Sequence, residues 1–138
     1  MDTHLEGLTP CFSVQRNEHG AVTAISGLFQ TVHCPRFPSG LPEFFLYGRI
    51  RGLRSATPLE LRMVYFDEER AEPVVMWRRS MRSEATASLK ESVQLLVHRE
   101  AGDYVDGPGE YRFELWHENR QLGGCSLIVD QGTPPAIA

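Results

Sequence analysis

Lysine is nearly missing from this chain. Of 14 basic residues, Lys90 is the single lysine and the rest are arginines. Arginine in place of lysine matches a GC-rich coding background, and it also suits a surface that makes bidentate contacts with carboxylates or phosphates. Cysteine is scarce: Cys11, Cys34 and Cys125 form an odd set with no C-x-x-C and no Cys/His cluster at zinc spacing. They read as reduced thiols acting as small apolar core residues. No apolar run approaches the roughly 18 residues needed to cross a membrane. Met1 to Gly7 is polar and has no basic region ahead of an apolar core, so no secretory signal is read there. The expected product is soluble and cytoplasmic, with no membrane partner.

Chemistry-bearing motifs are missing as well. There is no G-x-S-x-G elbow, and none of the cysteines carries a nucleophile signature. Gly107-Pro108-Gly109 and Gly123-Gly124 read as turn and bulge glycines, not as phosphate-binding loops. The histidines, His4, His19, His33, His98 and His117, never stand at i, i+2 or i, i+4, the spacings that would put two on one face. Asp67-Glu68-Glu69 and the Asp103/Asp106 pair fall in expected loops, and neither follows the order of a dedicated calcium loop. No catalytic residue, metal ligand or cofactor is therefore assigned. A formal net charge of −4 provides no field that would draw the chain to nucleic acid, which is not an expected partner.

What the 138 residues do contain is β patterning. Pro108-Gly109 launches a strand with Tyr111, Phe113 and Leu115 on one face. Glu118-Asn119-Arg120 turns it back, and Cys125, Leu127 and Val129 alternate again. Phe44, Leu46, Gly48 and Ile50 share one face of an earlier segment, and Phe45, Tyr47, Arg49 and Arg51 share the other, as in a strand covered on both sides. Leu59 to Phe66 and Pro73 to Trp77 form a hairpin around a polar tip, and Arg78 to Thr86 reads as loop. Pro10 to Gln15 and Ala21 to Cys34 form another hairpin, its second arm bent at Gly27. Segment 87–100 fits a helical stripe at Leu89, Val93, Leu96 and Val97, but its β-branched residues and β neighbours favour strand. Three prolines between Pro35 and Pro42 mark a loop.

The expected fold is all-β: an antiparallel β-sandwich of seven to eight strands, immunoglobulin-like or C2-like, with a small β-barrel as the alternative. One domain spans 8–131, and 1–7 and 132–138 are expected as flexible tails. At this length folding buries roughly two-thirds of the unfolded chain's surface, so no staples are required.

Several elements occur in a familiar succession. They are Ile25-Ser26-Gly27-Leu28-Phe29, Phe37-Pro38, the aromatic strand at Phe44 to Ile50, Leu59-Glu60-Leu61-Arg62-Met63-Val64-Tyr65, and Pro108-Gly109-Glu110-Tyr111-Arg112-Phe113 before a terminal hairpin. The succession resembles a family of small bacterial single-domain β-sandwich proteins of unknown function, over about residues 8–130. The resemblance implies the fold and supplies no catalytic residues. Pro-Gly-x-Tyr also recurs in immunoglobulin-like modules.

Trp77-Arg78-Arg79-Ser80-Met81-Arg82 is the sharpest local feature, since Trp and Arg are enriched at binding hot spots. Trp116 lies opposite Tyr111, Phe113 and Leu115 on its strand, so it points outward when they face the core. Trp77, Arg78, Arg79 and Trp116 are the candidate partner-binding residues. The expected function is a non-enzymatic protein-interaction module, with another protein or a second copy as partner. It would be an accessory component of a bacterial multi-gene system such as a defence or conflict system. A small hydrolase or metal-dependent enzyme is one alternative, and a phage or virion-related structural protein is another.

Overall fold

The computed structural model describes residues 3–52, 57–66, 72–82 and 92–132. Eleven strands follow in order: β1 (His4–Arg16), β2 (Val22–Leu28), β3 (Thr31–Cys34), β4 (Ser39–Gly40), β5 (Phe44–Arg51), β6 (Pro58–Phe66), β7 (Val74–Arg82), β8 (Ser92–Arg99), β9 (Tyr104–Val105), β10 (Gly109–His117) and β11 (Arg120–Gln131). Nine of them form two packed sheets, ordered β2-β1-β5-β8 and β3-β11-β10-β6-β7, and the two-residue strands β4 and β9 pair with each other. The chain is an all-β sandwich, and its sheets do not close into a barrel. No helix among the described residues is long and apolar enough to cross a membrane.

Besides the β4–β9 pair, the two sheets hold one strand more than the expected seven to eight, for a physical reason. The arm read as one bent strand over 21–34 divides in two and changes sheets. β2 stays with β1. β2 keeps its pairing through Gly27, at φ +68°, to Leu28, and after a break at Phe29-Gln30 the chain runs on as β3 beside β11. The Gln30 carbonyl accepts Ile128 N–H at 2.7 Å, and β3 then pairs with β11 in parallel. The antiparallel sandwich thus contains one parallel pair, β3 with β11, created by a strand that crosses between layers.

Three further expectations change. Residues 1–7, read as a flexible tail, contribute His4–Gly7 to β1, where Leu5 pairs with Ile50 and is buried. Arg78–Arg82, read as loop, continue β7, because Pro58–Arg62 of β6 extend far enough to pair with them. Of the ambiguous segment, Ser92–Arg99 is strand and pairs with β5 from Arg51 to Phe44. Residues 83–91 and 133–138 lie outside the described residues.

The core sits between the two sheets. Phe44, Leu46 and Ile50 of β5 and Val97 of β8 face Leu61 and Met63 of β6, Tyr111, Phe113 and Leu115 of β10, and Leu127 and Val129 of β11. Each such large apolar side chain contributes roughly 1.5–3 kcal/mol by leaving water. Face assignments on β5 and on the closing hairpin follow the period-2 reading. Tyr111 also pins the turn before its own strand: its hydroxyl donates to the Gly107 carbonyl at 2.8 Å. Tyr65 stacks on Tyr111 at 4.7 Å and donates to the Pro108 carbonyl at 3.2 Å.

The outward face of the four-stranded sheet is crossed at one point. Gln94 of β8 accepts Val22 N–H at 2.8 Å and donates to the Val22 carbonyl at 2.7 Å. β2 and β8 are opposite edges of this sheet, so the far end of the β1–β2 hairpin curls across to reach β8. Cys11, opposite Phe45 on that outward face, is fully buried.

One close approach fixes the β1–β5 pairing. β1 carries a register shift between Leu5 and Leu8, and the carbonyl of Gly7 is pressed onto Gly48. A Cβ at position 48 would collide with that oxygen, and backbone cannot swing away as a side chain can. Gly48→Ala is expected to destabilise the fold by about 1–3 kcal/mol in urea titration. Gly107→Ala, in open space, is expected to stay within about 0.5 kcal/mol.

Candidate functional site

Edge strand β7 places Trp77, Arg78 and Arg79, and its period of two separates them, while β10 places Trp116. Trp77 pairs with Met63 and Arg79 with Leu61, so both lie on the core-facing side. Arg78 pairs with Arg62 and lies on the outward side, where β10 presents Trp116 opposite Glu60. The four candidates form two clusters on the two faces of the five-stranded sheet, not a single patch.

In the outward cluster, Glu60 sits between two arginines. Its Oε1 is 3.1 Å from Arg62 Nε and 3.7 Å from Arg78 Nε. It thereby offsets the repulsion of Arg62 and Arg78, which face each other across the β6–β7 ladder. The Arg62 guanidinium lies 3.9 Å over the Trp116 ring, a cation–π contact. Trp116 Nε1 donates to Glu114 Oε1 at 3.2 Å, and Glu114 is buried beneath. Trp116 thus points outward as its position on the strand requires, yet it is half-buried under Arg62 rather than bare. The Arg78 side chain is 60% exposed.

The core-facing cluster is built on Arg99 of β8. Its guanidinium lies 4.3 Å over the Trp77 ring. Arg99 Nε donates to Asp103 Oδ2 at 3.0 Å and Nη2 to Oδ1 at 2.6 Å, a bidentate fork that lysine could not make. Both side chains are nearly buried, at 10% and 12% exposure. The loop carrying Asp103 is itself held, since Leu41 N–H donates to the Asp103 carbonyl at 2.7 Å and Gly102 N–H to the Leu41 carbonyl at 3.0 Å. Beside this clasp lies an open recess of about 350 Å³, lined by Arg79, His98, Arg99, Glu100, Ala101, Gly102 and Asp103. His98 stacks on Phe45 at 4.9 Å, and its Nε2 lies 3.3 Å from Glu43.

Trp77 continues inward as a file of rings. It lies 6.2 Å from Phe113, which is 5.4 Å from Phe44, which is 5.6 Å from Phe29, which stacks on Phe12 at 4.1 Å. Trp77 Nε1 is buried with no acceptor, so packing and the guanidinium hold the indole in place. Trp77 is therefore core on one side and a platform for Arg99 on the other.

The thiols are poorly placed for nucleophilic work. Burial pushes the Cys125 thiol up to about 12, outweighing a backbone hydrogen bond and the nearby Arg112 charge, which both lower it. Burial also raises Cys11. Among the described residues, no three His, Cys, Asp or Glu side chains gather as a metal-ion ligand set. Asp103 is engaged by Arg99.

Sequence reasoning missed Glu60, Arg62, Glu114, Arg99 and Asp103. The spacing of Arg99 and Asp103 is a short-range signal, but the stacking of Arg99 on Trp77 and of Arg62 on Trp116 depends on contacts across strands.

No protein-family model and no curated protein matches the chain. Its structure is similar to part of a solved β-glucosidase from Listeria innocua in complex with isofagomine, at 10% identity and a TM-score of 0.46. The match covers 94% of this chain and 16% of that one, so this chain spans about one-sixth of its neighbour. A likeness at that score carries no argument about function.

Breaking a buried pair by removing one partner leaves an uncompensated charge. Arg99→Ala is expected to cost about 3–5 kcal/mol in urea titration. A double-mutant cycle with Asp103→Ala should give a coupling above about 1 kcal/mol. Additive losses would show that the two side chains act independently.

Proposed function

We propose that this chain is a non-enzymatic protein-interaction module that meets its partner along β7. The observation that carries this reading is the position of β7. It is a nine-residue strand that, among the described residues, hydrogen-bonds to β6 and to no other strand. It sets Arg78 on one side of that edge, the side on which Trp116 of β10 lies beyond β6, and Trp77 and Arg79 on the other. An exposed edge is a template for strand addition, and proteins usually blunt such edges with charge or cover. Here the charges are arginines, side chains that suit recognition as well as protection.

The clasp beneath β7 supports the same reading. A binding strand works best when it does not have to be ordered on contact, and Arg99, Asp103 and the ring file hold β7 from its core-facing side. The reading extends to an accessory role in a bacterial, cytoplasmic multi-gene system. Three free thiols, two of them buried, agree with a reducing compartment.

A photo-crosslinking residue at Ser80, exposed on β7, is expected to trap one specific protein in the native host, whereas the same residue at exposed Thr23 on β2 should not. Arg78→Glu with Arg79→Glu should abolish the Ser80 adduct. Adducts from Thr23 and none from Ser80 would overturn the assignment.

A further inference from the structure

We propose that the partner presents an acidic, extended segment that adds, as an outer strand, to the edge of β7 that no other described strand pairs with. This rests on the reading of β7 as the contact edge and goes on to name the chemistry of what it receives.

The charge distribution carries the argument. β7 reads Val-Val-Met-Trp-Arg-Arg-Ser-Met-Arg, with three arginines and no acidic residue, in a chain whose formal net charge is −4. Positive charge is thus concentrated on an edge strand while the molecule as a whole is acidic. Arg78 shares Glu60 with Arg62, at a longer distance than Arg62 has, and its side chain remains largely exposed. Arg79 is exposed and borders the open recess whose other arginine, Arg99, is already neutralised by Asp103. An incoming strand also alternates its side chains. Two successive carboxylates on it would therefore fall on opposite sides of the extended sheet, one toward Arg78 and one toward Arg79 and the recess. That pattern matches a strand with adjacent acidic residues.

Other edges and occupants fit less well. At the far edge of the opposing sheet, β2 carries no charged residue, and the Val22 backbone N–H and carbonyl are both taken by Gln94. Short β3 offers four residues. A second copy of this chain is disfavoured by its own charges. The fully overlapped antiparallel pairing, with Val74 against Arg82, sets Arg78 directly against Arg78, and like charges directly opposite are destabilising.

The test uses the full chain and two synthetic ten-residue peptides of β-prone sequence, identical except that paired Glu residues in one are paired Lys in the other. Binding is followed by fluorescence anisotropy, and the site is mapped by backbone amide shifts. The Glu peptide is expected to bind, with shifts centred on Val74–Arg82, and to weaken as salt is raised. Arg78→Glu with Arg79→Glu should weaken the Glu peptide on the order of tenfold, as two exposed ion pairs would, and should transfer the preference to the Lys peptide. Both residues are exposed, so the variant's fold can be verified by its unchanged core amide shifts.

Equal binding of both peptides, or shifts away from β7, would overturn the acidic-strand proposal. If the Ser80 adduct still forms in that case, the interaction-module reading stands and only the partner chemistry is wrong. A chain that elutes as a dimer, and becomes monomeric on reversal of Arg78 and Arg79, would also overturn it by giving the edge to a second copy.

Discussion

The Arg99 guanidinium lies on Trp77 and is forked onto Asp103, and the open side of the sandwich depends on that contact. β7 and β8 are edges of different sheets, so no backbone ladder joins them. What joins them is a side-chain clasp: an indole from one sheet, a guanidinium from the other and a carboxylate from the loop after β8. A buried arginine is costly unless both its charge and its donors are matched. Asp103 supplies charge and two acceptors, and Trp77 supplies a polarisable face. The loop bearing Asp103 is fixed in turn by backbone bonds to Leu41. From Trp77 the file of rings runs through Phe113 and Phe44 to Phe29 and Phe12, linking the clasp to the crossing between β2 and β3.

Much of this architecture is legible in the sequence because it rests on local alternation. The two faces of β5 and the inward set Tyr111, Phe113 and Leu115 follow from a period of two. What was not legible depends on interruptions of that period or on distant neighbours. β1 reads as short because Gly7 and the register shift between Leu5 and Leu8 break its pattern before it regains the sheet. The switch of the 21–34 arm between layers is set by where β11 lies, which no local signal reports. Trp116 shows the distinction most clearly. Strand parity places it outward, but only the β6–β10 register brings Arg62 over its ring.

The candidate site was legible in kind and not in arrangement. A Trp-Arg-Arg run on paper is a single patch. On a strand it becomes two opposed surfaces, because successive side chains leave opposite faces. Arg78 therefore belongs with Glu60, Arg62 and Trp116, and Arg79 with the recess beside Arg99. This separation shifts attention from a face to the edge between the two clusters, where the strand's own backbone groups join the arginines as recognition elements.

That edge is the central claim, and amide hydrogen exchange along β7 tests it most directly. The account predicts alternation from Val74 to Arg82: amides donated to β6 exchange slowly, and those on the open edge exchange at nearly unprotected rates. Uniform slow exchange along the strand would contradict it, because it would show that the edge is already covered.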